Sequence, residues 1–350
     1  MSARFSSTRL KLLGSGTALP GELVSNDALL AALRQHVGPI KAALARKLAE
    51  RLGIHSRHVS RDLGVPRSGA RDGMDAPTLC GDALERAGND NLMGYLIGHT
   101  TTPHTMLPPN VAWVADRLRY SGPYMELRQA CTGFASALTI AAAMIRENPN
   151  DTIGIVGSEN GSPYFDISSD FADREQLVNF VQMGDGAGAV RLGADDYTDH
   201  SIISDIFSGQ IGIDKAPGIR LAGGGSANPS CEAGLPYFQH NARDVRKNGP
   251  ALIEAGIDAI ESRGHRLGDF DWVIPHQANG HIAALVADRY PELKGKVCVT
   301  ADRFGNLGSA AIWVGFDTLL RSGLLDRGDR VLVLGAEASK YLYGGFVYTH

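Results

Sequence analysis

Long apolar segments are missing from this chain of 350 residues. A helix needs about 18 consecutive apolar residues to cross a bilayer, and the sequence has no such run, so we expect no membrane span and no membrane partner. Residues 1–12 lack the long apolar core and the small-residue cleavage site of a secretory signal. We therefore expect a cytoplasmic protein.

An excess of basic residues is also missing. The 34 Lys and Arg residues face 38 Asp and Glu residues, which gives a formal net charge of -4. This balance provides no electrostatic reason to bind nucleic acid, and we expect no nucleic-acid partner. With 43% hydrophobic and 21% charged residues, the composition is typical of one large globular domain or two fused ones.

Cysteine is scarce. Cys80, Cys131, Cys231 and Cys298 are far apart, and none of them forms a Cys-x-x-Cys pair. We therefore expect neither a metal site nor a disulfide framework, and a reducing compartment is consistent with this pattern.

The chain does contain a pattern of strand, loop, helix, strand, loop and helix that occurs twice. The first copy covers residues 95–145 and the second 272–320, and the tetrapeptide Val-Ala-Asp-Arg stands in the first helix of each, at 114–117 and 286–289. Because the two copies have the same elements in the same order, the pattern favours a duplicated βαβα unit and therefore an α/β fold. The predicted strands are 10–13, 93–98, 124–127, 152–157 and 188–192 in the first half and 272–275, 297–300, 330–334 and 345–348 in the second.

Residues 205–245 do not fit the repeat, because they are rich in Gly and Pro and show little periodicity. We predict an N-terminal half at 1–193, a capping insertion or linker at 194–245 and a C-terminal half at 246–350. The alternative for 205–245 is a mobile surface loop.

Cys131 stands between the predicted strand 124–127 and an Ala-rich helix over 134–145. A cysteine at a helix start experiences the positive end of the helix, which favours the thiolate. The free backbone N–H groups of a helix start can also hold a developing oxyanion. The alternative is a buried structural cysteine, which is the commoner role.

Three polar residues follow predicted strands of the two halves: Cys131, His276 and Asn306. In α/β sheets, such strand ends are where sites form. Each residue also has a structural interpretation, since His276 could be a core histidine and Asn306 could supply a left-handed turn. Their occurrence together in a duplicated frame favours the functional interpretation.

Four motifs resemble the signature motifs of the β-ketoacyl-ACP synthase III enzymes, in the thiolase superfamily. They are Ala-Cys-Thr-Gly-Phe at 130–134, Met-Gly-Asp-Gly-Ala-Gly-Ala at 183–189, His-Gln-Ala-Asn at 276–279 and Gly-Asn at 305–306. Segments 14–26 and 52–57 are also similar to the opening of that family. The resemblance implies the thiolase fold, with two duplicated halves in a five-layered αβαβα arrangement, and a homodimer. It also implies acyl-CoA or acyl-ACP as substrates, with no further cofactor, and an acyl carrier protein as partner.

The resemblance implies a role for each motif residue. Cys131 would take an acyl group from a thioester onto its sulfur. His276 and Asn306 would hydrogen-bond the carbonyl of a second, malonyl thioester while it loses carbon dioxide. The backbone N–H groups of Cys131 and Ser339 would hold the oxyanion, although residues 335–340 lack the family's usual Gly-x-Gly-x-Gly.

Further departures from the family concern the substrate. The family's adenine-stacking Trp falls at Lys47, whereas Arg51 and Arg57 match the coenzyme A or carrier entrance. We infer weakened coenzyme A recognition and a carrier-protein donor. The bulky aromatic at the mouth of the acyl pocket falls at Leu107, which predicts room for a longer or branched acyl chain. The other residues assigned to the acyl pocket are Met183 and Phe304.

Two acidic residues need an interpretation. Glu159 follows the predicted strand 152–157 and either supports the fold or acts as a general base beside Cys131. Asp185, within the motif 183–189, is interpreted as a turn-forming residue.

We predict an acyltransferase that performs a decarboxylative Claisen condensation with a malonyl or β-ketoacyl thioester, in specialised fatty acid or polyketide biosynthesis. One alternative transfers the acyl group of Cys131 to an alcohol or amine, with His276 as base. Another is a non-decarboxylative or cyclising condensation that forms long β-keto acids or cyclohexanediones. An inactive partner subunit is disfavoured, because it would not need Cys131, His276 and Asn306 together.

Overall fold

The structure, a computed structural model, describes residues 3–64, 74–88, 93–229 and 236–350. Cys231 and part of the predicted insertion lie outside these residues. The strands are β1 (Arg4–Phe5), β2 (Leu10–Ala18), β3 (Val24–Ser25), β4 (Ser56–Arg57), β5 (Tyr95–Thr100), β6 (Tyr124–Leu127), β7 (Ile153–Glu159), β8 (Gly186–Ala194), β9 (Ile202–Gln210), β10 (Ile219–Ala222), β11 (Tyr237–His240), β12 (Trp272–Pro275), β13 (Arg330–Glu337) and β14 (Leu342–Thr349).

Several of the helices in the described residues begin at a side chain that caps them. Ser25 Oγ accepts from the Ala28 N–H at the start of the first helix, and Gly53, with a φ of 63°, ends it. The α-helices are α1 (Asn26–Leu52), α2 (Ala76–Ala87), α3 (Asn110–Leu118), α4 (Gly133–Glu147), α5 (Arg174–Gln182), α6 (Ala242–Ser262), α7 (Ile282–Arg289), α8 (Ala301–Phe304) and α9 (Ala311–Arg321). None of the helices in these segments is long and apolar enough to cross a membrane.

The strand order displays the duplication. The central sheet runs β12-β13-β14-β9-β2-β8-β7-β5-β6, with β1 paired to β9. In the N-terminal half, β5 is parallel to β6 and β7, and β8 and β2 follow as antiparallel neighbours. The C-terminal half repeats this order, because β12 is parallel to β13, and β14 and β9 follow as antiparallel neighbours. The two halves meet where Leu10 of β2 pairs with Ile203 of β9.

Helices α4 and α9 lie between the two halves of the sheet and form the central layer. Phe134 and Leu138 of α4 are fully buried with Trp313 and Phe316 of α9 and with side chains from both halves. The Phe134 and Trp313 rings meet edge to face, 5.9 Å apart. Helices α2 and α3 cover the outer face of the N-terminal half, and α6 and α7 cover that of the C-terminal half. The predicted five-layered α/β thiolase arrangement is thereby confirmed.

Two strand predictions were wrong in detail. Strand β2 continues beyond its predicted end at residue 13, through Gly14 and Gly16. Glycine at these two positions lets α2 pack closely on the strand, because a side chain at either would collide with the backbone of α2. The strand predicted at 297–300 is reduced to a single bridge between Val273 and Val297. The chain then turns into α8, since Gln277 Oε1 accepts the Thr300 N–H at 2.9 Å.

The predicted insertion at 194–245 is not wholly outside the sheet. Strand β9 lies in the middle of the central sheet as the counterpart of β2, so its residues belong to the repeat. Strands β10 and β11 form a separate hairpin instead. That hairpin packs on α5, where Gln176 Nε2 donates to the Phe238 carbonyl at 2.7 Å. The domain limits at 193 and 246 stay a prediction.

Candidate active site

Cys131 and His276 flank the same part of strand β13. The His276 N–H donates to the Leu334 carbonyl at 2.8 Å, which fixes the backbone of the residue directly after β12. The next residue, Gly335, lies so close to the turn before α4 that a Cβ there would stand 3.4 Å from the Cys131 carbonyl oxygen. Cys131 of one half and His276 of the other are thus brought to one strand end.

Asn306 lies against the end of α5 and the start of the motif 183–189, both in the N-terminal half. Its N–H donates to the Gln182 carbonyl at 2.8 Å, and its own carbonyl accepts the Gly184 N–H at 3.2 Å. Its side-chain Oδ1 accepts the Gly308 N–H at 3.0 Å. Because Oδ1 is occupied, the amide is oriented with Nδ2 as the remaining donor, which suits it to hold a carbonyl oxygen.

The surroundings of Cys131 favour its thiol over the thiolate. Burial raises the pKa of Cys131 well above its usual value, and the carboxylates of Glu337 and Glu159 raise it further. The sequence-based expectation that the start of α4 favours a thiolate is therefore wrong. Burial, together with two nearby carboxylates, opposes the helix dipole, whose contribution is typically below about 2 kcal/mol.

His276 is a neutral imidazole near pH 7. It is 9% exposed, and burial lowers its pKa to about 4. Its Nδ1 has no hydrogen-bond partner in the described part of the chain. A buried polar atom without a partner calls for an explanation. A neutral ring can donate from one nitrogen to a substrate oxygen or accept a proton on the other.

Glu159 is fully engaged in joining the two halves. Its Oε1 accepts the hydroxyls of Thr101 and Thr102, each at 2.6 Å. Its Oε2 accepts the N–H of Ser309 at 3.0 Å and the Ser309 hydroxyl at 2.9 Å. Burial raises the pKa of Glu159, and these hydrogen bonds act in the opposite direction. Four donors on one carboxylate favour the fold-supporting role over that of a base.

A second buried carboxylate, Glu337, was missed by the sequence analysis. Its Oε2 accepts the N–H of Thr132 at 3.1 Å and the Thr132 hydroxyl at 2.7 Å. Its Oε1 accepts the Ser339 hydroxyl. The signal was present in the sequence, since Gly-Ser-Glu at 157–159 and Gly-Ala-Glu at 335–337 end equivalent strands.

The two backbone groups assigned to the oxyanion hole are the N–H groups of Cys131 and Ser339. Ser339 lies in the turn between β13 and β14. Within the described segments, neither its N–H nor that of Cys131 donates to a carbonyl or side chain of another residue. Both are therefore available to a negatively charged oxygen.

The three residues predicted at the coenzyme A or carrier entrance differ in exposure, since two are exposed and one is buried. Lys47 and Arg51 are exposed and lie one turn apart on α1. Arg57 is fully buried, and its guanidinium donates to Asn26 Oδ1 at 2.7 Å and to the Val181 carbonyl at 2.8 Å. Burial lowers the pKa of Arg57 to about 10. Its assignment to the entrance was wrong, because both ends of the guanidinium bind the protein interior.

Of the three residues predicted to line the acyl pocket, two are at least half-buried and one is exposed. Met183 is buried at the end of α5, and its backbone bridges to Asn306, so it borders the site. Phe304 is half-buried two residues before Asn306. Leu107, however, is 84% exposed, so it lines no pocket among the described residues of this chain.

Other buried polar residues set the loops of the site. Asp185 accepts hydrogen bonds from the N–H and hydroxyl groups of Ser60 and Ser162, and burial raises its pKa. It thus ties two loops together rather than merely forming a turn. Gln277, next to His276, donates from Nε2 to the Pro275 carbonyl at 2.8 Å and to the Cys298 carbonyl at 3.1 Å.

Comparison with known proteins agrees with this geometry. The family profile described as 3-oxoacyl-[acyl-carrier-protein (ACP)] synthase III matches residues 125–209, and the profile for its C-terminal part matches residues 260–348. The chain is 30% identical over 348 residues to the β-ketoacyl-[acyl-carrier-protein] synthase III of Xanthomonas oryzae pv. oryzae, covering 95% of this chain and 96% of that protein. It is also 30% identical over 347 residues to the enzyme of that name from Neisseria meningitidis, covering 97% of both.

Solved structures share the fold. A tetronic acid condensing enzyme matches with a TM-score of 0.82 at 24% identity, over 97% of this chain and 99% of that chain. The 3-oxoacyl-(acyl carrier protein) synthase III of Pseudomonas aeruginosa matches with a TM-score of 0.80 at 24% identity, over 98% of both chains. Given its full-length similarity to the two curated relatives, the chain belongs to the β-ketoacyl-ACP synthase III family of condensing enzymes and has the thiolase fold of that family.

Proposed function

We propose that this enzyme joins an acyl group held on Cys131 to a malonyl-type thioester by decarboxylative Claisen condensation. The observation that carries the proposal is the retention of Asn306 beside the motif that contains Met183, with an Nδ2 that has no partner among the described residues. An enzyme that only transfers acyl groups would need no such donor for an enolate oxygen, whereas a decarboxylating enzyme would.

The first half-reaction loads the nucleophile. Neutral His276 accepts the thiol proton of Cys131 as the sulfur attacks the acyl thioester, and the N–H groups of Cys131 and Ser339 hold the resulting oxyanion. Collapse of the tetrahedral species breaks the carbon–sulfur bond of the donor. The departing thiolate takes up the proton, and the acyl group remains on Cys131.

The second half-reaction forms the carbon–carbon bond. The thioester carbonyl of a malonyl group accepts hydrogen bonds from His276 and from Asn306 Nδ2. The bond to the carboxylate breaks, carbon dioxide leaves, and its electron pair becomes the enolate. The α-carbon then attacks the acyl carbonyl on Cys131, and the carbon–sulfur bond to Cys131 breaks. The Cys131 thiolate takes up a proton from solvent, and a β-ketoacyl thioester is released. This chemistry requires no cofactor beyond the two thioesters.

We further propose that the donor is an acyl carrier protein and that the enzyme is a homodimer in specialised metabolism. Lys47 and Arg51 on the exposed face of α1 suit an acidic partner. The 84% exposure of Leu107 is explained if this side chain enters the acyl pocket of a partner protomer. A leucine there, in place of a bulky aromatic residue, admits a longer or branched chain.

Intact-mass spectrometry after incubation with acyl thioesters tests the proposal. An acyl adduct on Cys131 that is discharged by malonyl thioester, with release of carbon dioxide, is the expected result. Discharge by an alcohol or amine instead would establish acyl transfer. Discharge by a second acyl thioester without carbon dioxide would establish the non-decarboxylative reaction, and no adduct at all would reject the covalent scheme.

A further inference from the structure

Glu159 and Glu337 occupy equivalent places in the two halves. Each is the last residue of its strand, β7 or β13, and these strands correspond in the duplicated sheet. Each accepts the N–H and the hydroxyl of one residue at the start of a central helix contributed by the opposite half, Ser309 in one case and Thr132 in the other. The duplication has therefore placed two carboxylates near Cys131, one from each half.

The two carboxylates differ in what their second oxygen does. The second oxygen of Glu159 is held by Thr101 and Thr102 of its own half. The second oxygen of Glu337 accepts from the Ser339 hydroxyl, and this is its one partner in the described part of the chain. Glu337 thus connects the residue after the nucleophile to the residue assigned as the second oxyanion donor.

We propose that Glu337 is a positioning residue that, through Thr132 and Ser339, fixes the Cys131 N–H and the Ser339 N–H relative to each other as one oxyanion hole. The inference rests on the proposed acylation of Cys131. It assigns a purpose to the side chains of Glu337 and Ser339, at the end of β13 and in the turn after it. A hydrogen-bonded carboxylate there restricts a segment that glycines would leave flexible.

The charge of Glu337 acts against the same reaction. It is the first of the two carboxylates that raise the pKa of the Cys131 thiol, after burial. A negative charge beside the site also disfavours the oxyanion. The geometric contribution and the charge are separable, because a Gln carboxamide can accept from Thr132 with its oxygen and donate to Ser339 Oγ with its nitrogen.

The test compares Glu337→Gln, Glu337→Ala and Ser339→Ala with the unmodified enzyme. Ser322→Ala is the matched control, since Ser322 is an exposed serine at the end of α9 whose hydroxyl bonds the Leu319 carbonyl. Two quantities are measured: the single-turnover rate of Cys131 acylation at saturating acyl thioester, and the pH dependence of Cys131 alkylation by iodoacetamide. Thermal melting reports whether each variant is folded.

We expect Ser339→Ala and Glu337→Ala to slow acylation by roughly tenfold to hundredfold, the effect of a displaced catalytic group. The acylation rate of Glu337→Gln should stay within about threefold of that of the unmodified enzyme, because the hydrogen-bond geometry is kept. Its alkylation by iodoacetamide should begin at lower pH. Ser339→Ala should leave the pH dependence of alkylation in place, because the charge remains.

Acylation of Ser339→Ala at the unmodified rate would overturn the inference, and so would a Glu337→Gln enzyme as slow as Glu337→Ala. If Glu337→Ala does not fold, the acylation rates of Ser339→Ala and Glu337→Gln still test the inference. An unmodified enzyme that is never acylated would refute the proposed function instead, which distinguishes the two failures.

Discussion

Glu337 of the C-terminal half accepts two hydrogen bonds from Thr132 of the N-terminal half, 3.1 Å from the N–H and 2.7 Å from the hydroxyl. Thr132 is the residue that follows Cys131. The start of α4 is thereby held by the opposite half of the molecule. The same contact brings a negative charge to the helix start, so the geometry of the site and the acidity of its thiol are linked.

Acid should destabilise the protein through His99. The His99 ring is fully buried and accepts from Trp313 Nε1 at 3.0 Å, and burial lowers its pKa to about 3 from about 6.5 in an exposed ring. The unfolded chain binds the proton at higher pH than the folded chain does. The stability from this group is therefore complete above about pH 6.5 and is lost as the pH falls toward 3.

Melting temperatures of the unmodified protein and of His99→Gln, measured from pH 8 to pH 4.5, check this expectation. The advantage of the unmodified protein should shrink steadily below about pH 6.5, where an exposed histidine would begin to take up its proton. An advantage that stays constant over that range would contradict the lowered pKa.

Asn306→Ala should separate the two half-reactions. We expect carbon dioxide release to fall by about 10² to 10³, the usual effect of removing one donor to a developing oxyanion, while the acylation rate of Cys131 is retained. Asn148→Ala, at the exposed end of α4, is the control. Equal losses in both half-reactions would show that Asn306 supports the fold rather than the enolate.

Leu107→Phe should narrow the acyl specificity. A larger side chain at a pocket mouth rejects bulky substrates by roughly 1 to 3 kcal/mol, so the preference for long or branched donors over short ones should fall about tenfold or more. Leu324→Phe is the control, because Leu324 is also exposed, at 58%, but lies after α9. Light scattering should give twice the mass of one chain. A monomer, or an unchanged specificity, would argue against entry of Leu107 into a partner's pocket.

Glu159→Gln should remain active. The carboxamide oxygen can accept from Ser309 while its nitrogen donates to the two threonine hydroxyls, so the network survives without the charge. We expect condensation within about tenfold of the unmodified rate, because the loss of a group that is not a general base slows the reaction less than the loss of one that is. Glu159→Ala should lower the melting temperature, because it leaves buried donors unpaired at about 1 to 3 kcal/mol each. A folded Glu159→Gln that is acylated but does not condense would identify a general base.

The sequence predicts the halves of this fold well because each strand and helix carries its own periodic pattern. The strand at 124–127 and the strand at 272–275 are found with the predicted bounds. Strand β9 was missed, since it lies at the junction of the halves, where chain order does not reveal that β2 pairs with it. The course of β2 depends on the close approach of α2, which is a tertiary contact.

Some features of the site could be predicted from the sequence, and others depend on tertiary contacts. Cys131, His276 and Asn306 stand in recognisable motifs, whereas the burial of Arg57 and the exposure of Leu107 depend on packing and on assembly. The thiol pKa depends on Glu337, which is 206 positions from Cys131 and close to it only in the folded chain. A local helix-dipole argument could not include that charge.

Decarboxylative condensation at Cys131 is the central claim, and isotope-labelled malonyl thioester tests it most directly. The enzyme is first acylated, freed of excess donor and then mixed with malonyl thioester labelled in its free carboxylate. We expect one equivalent of labelled carbon dioxide per acyl group discharged, together with an unlabelled β-ketoacyl thioester, and no discharge from Cys131→Ala, which cannot be loaded. Discharge that retains the label in the product, or that proceeds without carbon dioxide, would contradict the account.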